Sequence, residues 1–340
     1  MKKFLNNFNR LIGIDLGTSQ TRIWSDKEGL VLDEPSCLAV DILTKKVLAV
    51  GKEALEMKGR VDKKIGVYFP MQKGQIYDLD LARAMLRVFL QKILKSTYFF
   101  NPNMMVSVPA LVSKNAERLT ADLFYSLGAN QVFTIREPLV AAIGAGVPIS
   151  DASACFILQM GAGIVEGAII SLGSLIDYQS SFQAGNFLDQ RIIYAVRKNK
   201  QLLISQEAAE KLKVKIASIS AIDKKEVLVM GKDIAQSSPK ELSINSGDLM
   251  PAFEKILLVY INLLKTLLSK APPELIVDVI NKGMLLSGGL AKLDGLEEHL
   301  VATLGVPVSV IDNPKLAVIN GIATVLENLD EFKESLGYQQ

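Results

Sequence analysis

Two segments far apart in the chain are built alike, and that likeness limits the folds open to it more than anything else in the sequence. The first runs from Leu11 to Trp24: an apolar stretch closing on Asp15, a turn at Gly17, Thr18 and Ser19, and a second apolar stretch. The second runs from Phe156 to Ile170, with Gln159 before a turn at Gly161, Ala162 and Gly163. Each reads as strand, glycine turn, strand. Such a turn calls for residues at positive φ, and glycine there also lets backbone N–H groups approach an anion closely. Two turns of this kind suit the clamping of one polyphosphate. A third glycine turn, Gly288-Gly289 in the stretch from Met284 to Leu290, follows an apolar strand and precedes a helix beginning near Asp294, and it offers backbone to a flat ligand.

Elsewhere apolar strand-like runs alternate with helical periods, which makes the class α/β. Asp78 caps a helix whose stripe is Ala82, Met85, Leu86, Phe89, Leu90 and Ile93; Ser113 caps another through Leu119 and Leu123 to Gly128. The longest helix is expected from Asp248, with Pro251 in its first turn, to Pro272-Pro273. Its apolar face is Phe253, Ile256, Leu257, Tyr260, Leu263, Leu264, Leu267 and Leu268.

Composition removes several function classes. With 38 Lys+Arg against 36 Asp+Glu the formal charge is only +2, far from the excess of a dedicated nucleic-acid binder. The basic residues between Arg191 and Lys225 are interleaved with acids and read as a solvated face. One His and two isolated cysteines, Cys37 and Cys155, exclude zinc sites, disulfide frameworks and Cys-x-x-Cys chemistry, and suit a reducing compartment. No apolar run is long enough to span a bilayer, and the N-terminus lacks the pattern of a signal peptide. Neither a P-loop nor a Gly-x-Gly-x-x-Gly pattern occurs, since Gly161-x-Gly163 is followed by Glu166.

The chain resembles the actin-like ATPases, and within them the MreB family of bacterial actins. The likeness rests on Gly13 to Thr18, Asp33 to Ser36, Val108-Pro109, Glu137-Pro138 with Ala141, Ala142 and Gly144, Ile170 to Ser174, Ala184-Gly185, Pro272 to Leu275 and Ser287 to Gly289. It implies an actin-like fold: two lobes, each with a ribonuclease H-like core and a small outer subdomain, and a nucleotide cleft between them. The implied subdomains are 1–34, 68–150 and 315–340 (IA), 35–67 (IB), 151–185 and 250–314 (IIA), and 186–249 (IIB). ATP or ADP with Mg²⁺ is the implied ligand. Asp15 would hold the metal through water, with Gly17, Thr18 and Ser19 as the first phosphate turn. Gln159, Gly161, Ala162 and Gly163 would form the second. Glu137 would polarise the attacking water, while Glu210, Lys213, Gly185, Gly288 and Gly289 would meet the nucleoside, with Asp189 a weaker candidate.

Departures from the family pattern matter as much. The second turn usually reads Asp-Ile-Gly-Gly-Gly-Thr-Thr, whereas this chain has Gln159 for the Asp and Ile164 for a polar residue. A neutral amide brings no second charge to a hard cation, and an isoleucine cannot hold a water. Loss of one preorganised polar contact typically costs about 10²–10³ in rate. The expectation is therefore a chain that binds ATP and is at most a slow ATPase. The adenosine turn has Leu290 at a usual glycine and Gln20 replaces a usual Asn, both milder changes.

Phe4, Leu5 and Phe8 beside Lys2, Lys3 and Arg10 compose a short interfacial helix, and Tyr98, Phe99 and Phe100 form a second apolar tip. Weak anchors combine through effective concentration. The expectation is a cytoplasmic protein peripheral at the inner face of the cell membrane, partnered by its own copies in antiparallel paired filaments, as the resemblance implies, and by MreB paralogues, without nucleic acid. The role implied is cell shape or shape-driven motility. The rival readings are a regulatory pseudo-ATPase joining filaments of an active paralogue and a small-molecule kinase of the same superfamily. An Hsp70-like chaperone is disfavoured by the lack of a peptide-binding domain.

Overall fold

The computed structural model describes residues 10–94, 101–219, 225–329 and Phe332. The two apolar tips, Phe4, Leu5 and Phe8 and then Tyr98, Phe99 and Phe100, lie outside the described residues.

In chain order the elements up to residue 144 are β1 (Leu11–Leu16), β2 (Gln20–Ser25), β3 (Gly29–Pro35), β4 (Leu38–Asp41), β5 (Val47–Val50), α1 (Lys52–Met57), β6 (Ile65–Tyr68), β7 (Met71–Gln72), β8 (Gln75–Ile76), α2 (Leu79–Leu94), β9 (Asn103–Val108), α3 (Lys114–Ser126), β10 (Gln131–Arg136) and α4 (Glu137–Gly144). The remainder are β11 (Cys155–Met160), β12 (Val165–Ser171), β13 (Ser174–Ser181), α5 (Gly185–Lys200), β14 (Leu202–Leu203), α6 (Gln206–Ile216), β15 (Glu226–Asp233), β16 (Pro239–Asn245), α7 (Ser246–Lys270), α8 (Pro273–Lys282), β17 (Met284–Ser287), α9 (Leu296–Leu304), β18 (Val308–Val310) and α10 (Ala317–Glu327). The chain divides into two compact units, residues 1–152, 170–175 and 315–340 in one, 153–169 and 176–314 in the other.

In the first unit a five-stranded sheet has the order β10-β9-β1-β2-β3. β1 runs antiparallel to β2 and parallel to β9. Strand alternation sends Ile12, Ile14 and Leu16 into an apolar cluster with Met85, Leu86 and Phe89 of α2. Gly13 and Asp15 lie on the opposite face, where α10 packs so closely that a Cβ on Gly13 would stand 2.5 Å from Cγ2 of Ile322. α10 in turn crosses α4 at two glycines. A Cβ on Gly321 would run into the Val140 carbonyl and stand 2.8 Å from its carbon, and one on Gly144 would stand 2.7 Å from the Gly321 nitrogen. A small sheet, β5-β4-β6, closes over its own apolar cluster of Cys37, Ala39 and Ala54.

The second unit repeats the plan. Its five-stranded sheet, β13-β12-β11-β17-β18, again centres on the first strand of a glycine hairpin, with β17 and β18 parallel to it on one side and β12 and β13 on the other. α7 buries Phe253, Ile256, Leu257, Tyr260, Leu263, Leu264 and Leu267, each such burial stabilising by roughly 1.5–3 kcal/mol. A separate three-stranded sheet, β14-β15-β16, precedes this helix.

Two helix readings need correction. α7 begins at Ser246, because Asn245 and Asp248 form a reciprocal capping box; Asp248 is its third helical residue. The α3 stripe does not include Leu119, which is 37% exposed. Thr120, Leu123 and Phe124 face inward, Thr120 because its hydroxyl donates to the Ala116 carbonyl at 3.0 Å instead of to water. Ser113 caps this helix as expected, its hydroxyl accepting from Ala116 N–H at 3.1 Å.

Candidate functional site

The duplication extends to single hydrogen bonds. In the first turn Gly17 N–H donates to the Gln20 carbonyl at 3.0 Å, and in the second Gly161 N–H donates to the Ile164 carbonyl at 2.9 Å. Neither Gly17, Gly161 nor Gly163 has positive φ, so the conformational reason expected for these glycines is incorrect. The reason for two of them is space. A Cβ would stand 2.7 Å from the Gln20 oxygen at Gly17 and 2.9 Å from the Ile164 oxygen at Gly161.

The first turn is tied down from outside the hairpin. Ser36 Oγ donates to the Gly17 carbonyl at 2.7 Å and meets Thr21 Oγ1 at 2.8 Å, while Ser36 N–H donates to the Ser19 carbonyl at 3.0 Å. Thr18 Oγ1 accepts from Gly74 N–H, in the turn between β7 and β8, at 2.8 Å. Asp15 is only 6% exposed. Arg22 Nη1 donates to its Oδ2 at 2.9 Å. Burial raises the Asp15 pKa, opposed by the Arg22 charge and hydrogen bond.

Glu137 opens α4 with Pro138 behind it and is 8% exposed. The preceding Arg136 is held by Glu117 at 2.8 Å. A carboxylate at a helix start is favoured by the helix dipole. α4 rests on α10 through Gly144 and Gly321, and α10 rests on β1 at Gly13, so one packed chain of contacts carries both Glu137 and the strand that bears Asp15.

In the second unit the turn is seated on the start of α5. Gly185 N–H donates to the Gly161 carbonyl at 3.1 Å and Asn186 N–H to that of Ala162 at 2.8 Å. A Cβ at Gly185 would stand 3.2 Å from Ala162 Cα, and Lys213 Nζ donates to the Gly185 carbonyl at 3.1 Å. Lys213 also pairs with Asp189 at 2.7 Å. Burial pushes the Asp189 carboxyl up to about 6, with Lys213 opposing and Glu210 adding to the rise. Gly288, at φ +88°, lies against β11, since a Cβ there would stand 2.6 Å from the Met160 carbonyl carbon; the same atom on Gly289 would meet nothing within 4 Å. Gln159, Gly161, Ala162, Gly163, Gly185, Lys213 and Gly288 therefore belong to one neighbourhood, with Glu210 exposed on its edge. Gln159 is 7% exposed, and its Oε1 is buried without a hydrogen-bond partner. Ile164 is 3% exposed, an apolar core residue.

Sequence reasoning missed Arg22 and Ser36. Arg22 was within reach: a turn closed between Gly17 and Gln20 sets Asp15 opposite Arg22, as the register has it. Ser36 stands in the Asp33 to Ser36 stretch of the likeness, but its contact with the turn depends on how β3 ends. Asp189 matters more than its weak standing implied, as the buried partner of Lys213. Both cysteines are buried and free, their thiols pushed up to about 11 by burial, which suits small core residues. Among the described residues no group of three or more His, Cys, Asp or Glu is placed to hold a metal ion, and no helix is long and apolar enough to cross a membrane.

Two sheets of one strand order, each centred on a glycine hairpin, define an actin-like protein. The crystal structure of MreB5 of Spiroplasma citri bound to ADP matches with a TM-score of 0.89 at 27% identity, covering 96% of this chain and 99% of that one. The MamK double helical filament matches in fold with a TM-score of 0.79 at 19% identity, covering 94% of this chain and 99% of that one. The family described as MreB/Mbl protein matches residues 9–334. The cell shape-determining protein Mbl of Bacillus subtilis (strain 168) is 34% identical over 326 residues, 96% of this chain and 98% of that protein. The chain belongs to the MreB/Mbl family of actin-like cytoskeletal proteins.

Proposed function

We propose that the chain is a filament subunit that binds ATP and turns it over slowly, assembling with its own copies into paired filaments at the inner face of the cell membrane. The observation that carries the nucleotide reading is the neighbourhood around the second turn. A glycine turn rests on the N-terminus of a sixteen-residue helix; a lysine and open space at Gly289 stand with it, and a buried amide oxygen at Gln159 has no partner. Helix starts and turn amides favour anions. The ADP-bound relative supports the same ligand class. In this reading Gly17, Thr18 and Ser19 contribute phosphate contacts, and Glu137 orients water.

Slow turnover follows from Ile164 and Gln159. Ile164 is a buried apolar side chain, and an amide at 159 contributes no charge. The same two residues favour the regulatory reading, in which the chain joins filaments of an active paralogue. Asp15, which in this reading would hold Mg²⁺ through water, already has Arg22 as a cationic partner.

The test combines pelleting and phosphate release across protein concentration, with ATP, ADP and a non-hydrolysable analogue. Pelleting with ATP and little phosphate supports a binding-gated polymer. Rapid release refutes slow turnover, and tight nucleotide binding without pelleting selects the regulatory reading. Membrane attachment is tested by liposome co-sedimentation. Phe99→Ser combined with deletion of residues 2–9 is expected to abolish it, and unchanged sedimentation refutes the attachment.

A further inference from the structure

Beside β3, the last strand of its sheet, lies a groove of about 640 Å³. An edge strand presents unpaired N–H and C=O groups that template one further strand. This edge is also apolar: Leu30 stands 44% exposed, and Val31 and, from the last turn of α2, Ile93 line the groove with it. The acids lie along the same strand. Arg22 is shared between Asp15 and Asp33, so that row keeps one net negative charge, and its 46% exposed end, Asp33, lines the groove next to Glu34. The cations opposite, Lys52 and Lys92, are exposed, and Lys52 Nζ is 3.9 Å from Glu34, a loose surface pair. Glu28 marks the other end of the groove, where Arg10 Nη2 is 3.5 Å from it. Arg10 Nε is buried there without a hydrogen-bond partner.

Arg10 is also where residues 1–9 join the described chain. β2 separates β1 from β3, so a chain leaving Arg10 crosses three strand spacings, about 14 Å, to lie beyond β3. Nine extended residues reach about 30 Å, which leaves about 16 Å, or about four residues, to run along the edge. β1 and β3 both run antiparallel to β2, so a segment that turns back at Arg10 lies antiparallel to β3. In that direction Phe4 and Leu5 come to Leu30 and Ile93, and Lys2 and Lys3 come to Asp33 and Glu34. Segment and groove match in order, apolar to apolar and cation to anion.

We propose that the groove along β3 is the docking site of the chain's own residues 2–9. Docking covers the free edge and gives Phe4, Leu5 and Phe8 an apolar partner other than lipid. Groove and bilayer then compete for one segment, a consequence that, unlike the docking itself, rests on the membrane reading above.

The test is zero-length carbodiimide coupling of the full chain, which joins an amine only to a carboxylate in contact with it, with the products mapped by peptide mass spectrometry. Lys2 and Lys3 are expected to couple chiefly to Asp33 and Glu34, in a yield that does not change on dilution. Leu30→Gln removes apolar contact and is expected to lower that yield at least about threefold. Coupling of these lysines only to carboxylates outside the groove, or none, overturns the proposal. A yield that falls in proportion to dilution overturns it as well, since the segment in the groove then belongs to a second copy. The wild-type pattern decides the matter even if Leu30→Gln fails to fold. Phosphatidylglycerol vesicles added before coupling are expected to lower the yield at least about twofold. Vesicles that sediment with the chain while the yield holds overturn the competition and leave the docking standing; a chain that does not sediment refutes the membrane reading, and the coupling pattern without vesicles still decides the docking.

Discussion

Replacing Gly321 by Ala is the sharpest test of how the first unit is assembled. The new methyl carbon would collide with the Val140 carbonyl oxygen and lie 2.8 Å from the Val140 carbon and 2.9 Å from the Gly144 nitrogen. Ordinary carbon contacts are about 3.5–4.0 Å, so α10 and α4 must part by on the order of 1 Å. The obstacles are backbone atoms of a helix, which have no rotamer to escape into. Overpacking of this kind typically costs about 1–3 kcal/mol, and the backbone obstruction sets the expectation at the upper end. The higher helix propensity of Ala offsets only about 1 kcal/mol of that. A net loss near 2 kcal/mol lowers the melting temperature by roughly 4–8 °C. The assay is calorimetric or circular-dichroism melting beside a Gly289→Ala control, where the added methyl meets nothing within 4 Å and surface-like substitutions stay within about 0.5 kcal/mol. If Gly321→Ala melts with the control, the close crossing of α4 and α10 is not what holds this unit together.

Gln159→Asp combined with Ile164→Thr is expected to raise phosphate release by one to two orders of magnitude, read in a continuous phosphate assay; no change refutes the account of slow turnover. Lys213→Met leaves Asp189 buried without its cation, which costs about 3–5 kcal/mol of stability and weakens nucleotide binding, read by denaturant titration and ligand titration. Asp189 also gives a pH signature. Its folded pKa of about 6 lies above the usual value of 3.8, so its contribution to stability is fully present below about pH 3.8 and is lost as pH rises through about 6. The full loss is of order 3 kcal/mol. Denaturant titrations at pH 4.5 and pH 7.5 are expected to show a steeper fall for wild type than for Asp189→Asn, and parallel behaviour of the two refutes the assignment.

Much of this protein is decided locally and can be read from the chain alone. Alternating apolar residues before Gly17 and a continuous apolar run before Gly161 specify the strands of two hairpins, because strand patterning and turn chemistry act over a few residues. Ser113 and the α7 face are legible for the same reason, and so is the family, whose motifs are spread over the whole length. The capping box at Asn245 and Asp248 is legible too, although Asp248 by itself reads as the start of the helix. Other features depend on residues that only folding brings together. Thr18 meets Gly74, Ser36 closes over Gly17, and Lys213 reaches both Gly185 and Asp189. The glycines at 17 and 161 show the division most clearly. Sequence marks the positions, but the reason is a carbonyl oxygen that the closed turn places within 3 Å of where a Cβ would be. Arg22 lies between the two cases: hairpin register makes it the partner of Asp15, whereas the burial that withdraws this pair from water comes from the surrounding sheet and helices. Local order follows from short-range backbone and side-chain preferences, while desolvation and close contact are properties of the packed whole.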